Sequence, residues 1–144
     1  MRMRTVLLSI ILATPASAWE ATVGQFCTLS HSTDQAEIFL TYDPSQPLYT
    51  LTVTRKTEGW TQTPWFAMRF DGSRPIEIAT PRHVLSDNAA SLTVTDTGFG
   101  NVLDGLEYNQ TAYAFTQDGL AEFPLDGAAP EVRIFRDCAG AQLS

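Results

Sequence analysis

Two cysteines, Cys27 and Cys138, stand near opposite ends of this 144-residue chain and constrain its fold more than any other feature. A bond between them would close a loop around nearly the whole chain, so both ends of the domain would have to meet in space. In the chain-entropy model a loop of this length stabilises the fold by about 4–5 kcal/mol. Only one intrachain pairing exists, and no C-x-x-C motif indicates redox chemistry. We expect a structural disulfide, with two free thiols or one reactive thiol as the alternatives.

The N-terminus has the pattern of an export signal. Two arginines precede a short apolar run at residues 6–13, and residues 16–18 have the small-x-small pattern that signal peptidases accept. The run is too short to anchor the chain in a bilayer. We expect residues 1–18 to be a signal peptide, cleaved after Ala18, and residues 19–144 to form one β-rich domain. This domain would reside in the periplasm or be secreted, where an oxidising environment favours the disulfide.

The charge of the chain argues against nucleic acid as a partner. Nine basic and sixteen acidic residues give a net charge of −7, and removal of Arg2 and Arg4 with the signal peptide would leave 7 − 16 = −9. Such a surface repels phosphate backbones, and the only adjacent basic pair after the signal is Arg55-Lys56. No later run is long and apolar enough to span a membrane. We expect a soluble product whose oligomeric state is open.

Alternation of apolar and polar residues predicts a mainly β fold. The pattern is clearest in "LYTLTVTR", where every second side chain is apolar. Asp71-Gly72 and Gln117-Asp118-Gly119 are typical of hairpin turns. We expect a single-domain antiparallel β-sandwich or a partly open barrel. The predicted strands are residues 36–41, 48–55, 63–70, 76–78, 91–96, 111–116 and 120–123.

Two segments depart from the β pattern. In "GFGNVLDG", Asn101 is positioned to cap a single helical turn. Near the end of the chain, Asp126 is positioned to cap a short helix in which Pro130 lies in the first turn. The alternative is a last strand at residues 132–137, because Val132 and Ile134 alternate with Arg133. We favour the helix.

Motifs that carry catalysis are scarce. The chain has no G-x-S-x-G, S-x-x-K, phosphate-binding loop or H-E-x-x-H sequence. Its two histidines, His31 and His83, are far apart, and we interpret the "LSHSTD" segment around His31 as a polar loop. A zinc site would need further ligands, because both cysteines are assigned to the bridge. We expect no metal and no cofactor.

An acidic group beside the glycine-rich segment is the best candidate for a catalytic site. Asp96, Asp104 and Glu107 could form a carboxylate pair for glycoside hydrolysis, or hold calcium together with Asn101. The spacing does not match a calcium loop, so a solvated surface is the simpler interpretation.

Two tryptophans, Trp60 and Trp65, are candidates for a binding surface. In a strand, Trp65 and Phe66 point to opposite faces, so one of them lies outside the main core unless both faces are covered. An exposed tryptophan near a turn is a frequent anchor for a partner. The alternative for Trp60 is that it folds over a sheet edge and forms a small core of its own.

Four stretches resemble an uncharacterised family of small exported alphaproteobacterial proteins: "TYDPSQPLYTLTVT", "FAMRFDG", "DTGFGNVLDGLEYN" and "PLDGAAPEVRIFRDC". The resemblance covers essentially the whole mature chain. Some relatives carry the name of an excinuclease component, which this short, acidic chain without a phosphate-binding loop contradicts. The ending around Gly127 and Cys138 is more loosely similar to invasion-associated locus B proteins. Neither resemblance implies catalytic residues.

The sequence therefore predicts a non-catalytic binding or interaction module of the cell envelope, with an envelope protein or a small ligand as its partner. A carboxylate-dependent hydrolase with a site at residues 96–107 is one alternative. A structural envelope protein is another.

Overall fold

The computed structural model describes residues 18–143, with side chains described to residue 140, so the predicted signal peptide lies outside the described residues apart from Ala18. The described chain folds into two antiparallel sheets and two helices. The strands are β1 (Glu20–Thr22), β2 (Cys27–Ser32), β3 (Ala36–Asp43), β4 (Leu48–Arg55), β5 (Phe66–Gly72), β6 (Ile76–Thr80), β7 (Val84–Leu85), β8 (Ser91–Asp96), β9 (Asn109–Phe115) and β10 (Leu120–Pro124). The helices are α1 (Gly100–Tyr108) and α2 (Ala128–Leu143).

The two sheets confirm the predicted mainly β, sandwich-like architecture. One sheet has the order β1-β2-β3-β4-β8-β7 and the other β10-β9-β5-β6. The core lies where their apolar faces meet, because alternate side chains of each strand point the same way. The first sheet contributes Leu40 and Val53, and the second contributes Phe70 and Ala114, all of them fully buried.

The predicted hairpins are present. Strands β5 and β6 form a hairpin in which Phe70 lies opposite Ile76. The predicted turn residues Asp71 and Gly72 lie between these two positions in the sequence. Strands β9 and β10 pair through Phe115 and Leu120, and the turn between them is closed by a 2.9 Å hydrogen bond from the Thr116 amide to the Gly119 carbonyl.

The predicted disulfide joins Cys27 on β2 to Cys138 on α2. Their Cα atoms are 5.9 Å apart although 111 residues separate them in sequence. Helix α2 packs against β1, β2 and α1. The bridge thereby fastens the last helix to the sheet that begins the domain, and the described chain has no free cysteine.

The prediction of a loop around His31 was wrong. The segment "CTLSHS" is strand β2, in which Cys27, Leu29 and His31 are buried and their neighbours are partly exposed. His31 lies opposite Ile38 on β3 and stacks on Trp19, with ring centroids 4.8 Å apart. The alternation is regular, but it becomes visible only when histidine is counted among the inward-facing residues.

The helices also differ in detail from the prediction. Helix α1 has nine residues instead of one turn, and it begins before Asn101 without a side-chain cap. Burial of Val102, Leu103 and Leu106 accounts for its length, since packing extends helices beyond what local signals indicate. Residues 132–137 belong to α2, which confirms the preferred C-terminal helix over a last strand.

Candidate ligand-binding site

An apolar cavity of about 450 Å³ opens between the two sheets. We call it the inter-sheet cleft. Its walls are mostly apolar, and the segment that leads into α1 closes one end. The lining residues are Leu51, Phe66, Met68, Ile78, Ala79, Thr80, Val94, Asp96, Gly98, Phe99, Gly100, Asn101 and Val102.

Two cross-strand pairs form the walls of the inter-sheet cleft. Leu51 on β4 lies opposite Val94 on β8, and Met68 on β5 lies opposite Ile78 on β6. Each pair belongs to a different sheet, so their side chains face one another across the sandwich. Leu51 and Met68 are buried, whereas Ile78 and Val94 are only partly covered. The cleft is therefore open on the side of β6 and β8.

Two polar residues, Asp96 and Asn101, belong to the lining of the cleft. Asp96 ends β8, and its carboxylate accepts hydrogen bonds from the Thr97 amide at 2.6 Å and from Nη2 of Arg82 at 3.3 Å. Asn101 is an exposed residue in the first turn of α1. The cleft thus combines an apolar interior with a few hydrogen-bonding groups, as small-molecule sites commonly do.

The other two acidic candidates lie elsewhere. Asp104 and Glu107 face α2, where Nη2 of Arg136 is 2.6 Å from Asp104 and Nε of Arg136 is 3.4 Å from Glu107. Arg133, which is also on α2, places its Nη1 atom 3.9 Å from Glu107. These carboxylates join α1 to α2 and do not line the inter-sheet cleft. Of the four acidic-site candidates, the structure brings only Asp96 and Asn101 together in that cleft.

Trp60, one of the two candidates for a binding surface, is buried in the structure. Only 4% of this residue is exposed, and its indole nitrogen donates a 3.0 Å hydrogen bond to the Val53 carbonyl. Its ring meets Phe66 edge-on at 6.3 Å, so it is part of the core. A 2.6 Å hydrogen bond from its own amide to the Ala89 carbonyl fixes the loop that folds it inward. Trp60 therefore offers no contact surface.

Trp65 is the tryptophan that reaches the surface. It is 37% exposed and packs edge-on against Phe115, with ring centroids 5.8 Å apart. It lies one residue before β5, which begins at Phe66 and not at residue 63 as the sequence predicts. It lies outside the inter-sheet cleft.

A second cavity of about 450 Å³, which sequence analysis did not anticipate, lies on the other side of Phe99. We call it the tyrosine cavity. Tyr42 and Tyr49, which lie opposite each other on β3 and β4, form part of its wall. Their shared position on one hairpin could have been found from the turn at residues 44–47 and the strand alternation. The lining residues are Tyr42, Pro47, Tyr49, Thr97, Gly98, Phe99, Gly100, Leu103 and Arg136.

Both histidines are buried. His31 is buried beside Trp19; desolvation lowers its pKa, and a backbone hydrogen bond with Ala18 partly opposes that change. His83 is also buried and lies 6.3 Å from the ring of Phe66. Across residues 18–140, no three histidine, cysteine or acidic side chains are grouped so that they could hold a metal ion.

No protein-family model, curated protein or solved structure matches the chain. Among the described residues, neither helix combines the length and hydropathy that crossing a membrane requires.

Proposed function

We propose that the protein is an exported, non-catalytic binding module of the cell envelope that holds a small apolar ligand in the inter-sheet cleft. The observation that carries this proposal is the open cavity of about 450 Å³ between two apolar sheet faces. Small-molecule sites fall in this size range and have mainly apolar walls with few polar groups.

The lining of the cleft indicates the class of ligand. Leu51, Met68 and Val94 would contact an apolar body, which gains free energy by leaving water. Asp96 would accept a hydrogen bond from a hydroxyl or amine at one end of the ligand, in competition with Arg82. The ligand is therefore an apolar molecule that carries one hydrogen-bond donor.

Binding is favoured over hydrolysis because of where the carboxylates lie. A glycosidase needs two carboxyl groups that flank one substrate bond. Here Asp104 and Glu107 are paired with Arg136, and only Asp96 lines the cleft. The arrangement supports recognition of a polar group better than acid–base chemistry.

Two observations support export. The Cys27–Cys138 disulfide is of a kind that persists in oxidising compartments such as the periplasm. The N-terminal charge and apolar run fit a signal peptide that would be cleaved after Ala18. The resemblance to small exported proteins agrees with both.

The binding proposal is tested with 1-aminoanthracene, an uncharged dye whose amine can donate one hydrogen bond and whose fluorescence rises in apolar surroundings. We expect the wild-type protein to bind the dye and Val94→Trp, which fills the inter-sheet cleft, to bind it at least about tenfold more weakly. The matched control is Val84→Trp, because Val84 is 65% exposed on the neighbouring strand and does not line the cleft. It should bind like the wild type.

Thermal unfolding of each variant establishes that it is folded before it is compared. Failure of the wild-type protein to bind 1-aminoanthracene would contradict the proposal. Equal binding by folded Val94→Trp and Val84→Trp would contradict it too, because the dye would then sit outside the cleft.

A further inference from the structure

The outward face of the first sheet is lined with hydroxyl groups. Strands β2, β3, β4 and β8 pair in register, so their outward residues form three rows that run across the sheet. The twelve positions of these rows hold ten serine and threonine residues, and the other two hold Glu37 and Phe39. We call this surface the hydroxyl face. Its hydroxyl residues are Thr28, Ser30, Ser32, Thr41, Thr50, Thr52, Thr54, Ser91, Thr93 and Thr95.

The residues of the hydroxyl face are accessible and regularly spaced. All twelve are partly or fully exposed. The hydroxyl oxygens of Thr52 and Thr93 are 3.2 Å apart, and those of Thr54 and Ser91 are 2.7 Å apart. Neighbouring strands lie about 4.8 Å apart and alternate residues of one strand about 6.7 Å apart, so the face measures about 14 Å by 13 Å. Because each hydroxyl can both donate and accept a hydrogen bond, a ligand rich in hydroxyl groups can be bonded at many points.

The hydroxyl face carries almost no charge, although the chain has sixteen acidic and nine basic residues. Glu37 is the only charged residue among the twelve, and Lys56 donates a 2.6 Å hydrogen bond to Ser32 in the same row. The second sheet differs, because its outward face includes the exposed, oppositely charged pair Arg69 and Glu77. Strand propensity explains threonine in a strand but not this difference between the two sheets. The face therefore suits an uncharged partner.

A single aromatic ring lies in the middle of the hydroxyl face. Phe39 has Ser30 opposite it on β2 and Thr52 opposite it on β4, and it is 37% exposed. Its ring thus offers an apolar surface that is surrounded by hydroxyl groups. A sugar ring has the complementary chemistry, since C–H groups cover its faces and hydroxyl groups surround its rim. Stacking on Phe39 would remove apolar surface of both rings from water.

We propose that the hydroxyl face binds an uncharged, extended β-linked polysaccharide chain, with one sugar ring stacked on Phe39 and the sugar hydroxyls bonded to the surrounding threonines and serines. An extended chain can follow a broad sheet face over several strands, whereas a coiled chain meets it at few points. The surface is distinct from the inter-sheet cleft, because Leu51 lines the cleft and Thr52, the next residue of β4, points to the opposite side of the sheet. The proposal goes beyond the function proposed for the cleft and does not depend on it.

The test compares cellohexaose with maltohexaose, two glucose oligomers of the same composition, of which the first is β-linked and extended and the second is α-linked and coiled. Titrations are followed by two-dimensional NMR of methyl groups. The methyl groups of Thr52 and Thr93 report the hydroxyl face, and those of Ile78 and Val94 report the inter-sheet cleft. We expect cellohexaose to shift the two threonine signals and to bind at least about fivefold more tightly than maltohexaose.

Two variants locate the site. Phe39→Thr removes the ring and keeps a residue that favours strands, so it should bind cellohexaose at least about fivefold more weakly. Thr52→Val keeps the shape of the side chain and removes one hydroxyl, and it should bind about two- to tenfold more weakly, as read from the Thr93 methyl group. The matched control is Leu120→Thr, because Leu120 is 53% exposed on the other sheet. It should bind like the wild type, and thermal unfolding establishes that each variant is folded.

Several results would overturn the proposal. Cellohexaose might shift neither threonine signal or only those of Ile78 and Val94, and in the second case the sugar would lie in the cleft. Equal binding of the two oligomers, or undiminished binding by folded Phe39→Thr, would also overturn it. So would shifts of the Thr52 and Thr93 signals when the protein is concentrated without sugar, because the face would then be a contact between copies of the chain.

Discussion

Gly105 of α1 lies directly against the ring of Phe70 on β5. A methyl group at residue 105 would come within 2.6 Å of Cε2 of that ring, and closer still to Cγ and Cδ2. Phe70 is fully buried, so its ring has no free space into which to turn. This close approach sets the distance between α1 and the second sheet. It also fixes Phe99 and Asn101, at the start of the helix, beside the inter-sheet cleft.

Substitution of Gly105 by alanine is therefore expected to destabilise the protein, although alanine is the better helix former. Overpacking of a filled core costs about 1–3 kcal/mol, which exceeds the gain in helix propensity. The control is Gly100→Ala in the same helix, where a methyl group would meet no atom within 4 Å. That variant should be neutral or more stable by about 0.4–1 kcal/mol. Urea unfolding measures both, and equal stabilities would contradict the close packing of α1 on β5.

Arg136 should contribute more to stability than Arg133, its neighbour on α2. Its nitrogens lie 2.6 Å from Asp104 and 3.4 Å from Glu107, and the Glu107 side chain is only 6% exposed. We expect Arg136→Met to lower the free energy of unfolding by about 1–3 kcal/mol, because a covered carboxylate loses its closest partner. Arg133 is 57% exposed and 3.9 Å from Glu107, so Arg133→Met should cost under about 0.5 kcal/mol. Urea unfolding of both variants measures these changes, and equal losses of unfolding free energy would refute this ranking.

The strands with regular alternation and clear turns were predictable from the sequence. Residues 48–55 and 91–96 match β4 and β8, because each strand has aliphatic side chains on one face and hydroxyl side chains on the other. The short strands β1 and β7 gave no such signal. Two or three residues carry no period, and pairing with β2 and β8 is what makes them strands. Their existence depends on tertiary contacts that local sequence does not contain.

The candidate site was only partly predictable. Asp96 and Asn101 stood out as polar residues near a glycine-rich segment, and both line the inter-sheet cleft. The cavity itself arises where the pair Leu51 and Val94 faces another sheet, and this meeting of distant strands leaves no pattern in the sequence. The burial of Trp60 could not be predicted from the sequence. Its indole hydrogen bond to the Val53 carbonyl depends on the tertiary fold, which a cluster of aromatic residues in the sequence does not reveal.

His31 should make stability depend on pH. Its folded-state pKa is lowered, chiefly by desolvation, below the unfolded value of about 6.5. Between these two values the unfolded chain binds the proton more tightly, so stability falls as the pH drops below about 6.5. His31→Phe keeps a ring against Trp19 but cannot titrate. Between pH 7.5 and 5.5 its melting temperature should fall less than that of the wild type. Above pH 7 the difference in melting temperature between the two proteins should be constant. If that difference is also constant down to pH 5.5, His31 is not the source of the pH dependence.

Loss of the disulfide should be the most destabilising of these changes. The bond joins residues 111 positions apart, so it removes a large part of the conformational freedom of the unfolded chain. We expect the double variant Cys27→Ala/Cys138→Ala to unfold at a lower urea concentration, with a loss of about 2–5 kcal/mol. Intact-mass measurements with and without reduction identify the bond in the wild-type protein. Reduced wild-type protein is the second test, since it should unfold at the same urea concentration as the double variant. A double variant as stable as the oxidised protein would contradict this prediction, because the packing of α2 against β2 would then not require the disulfide.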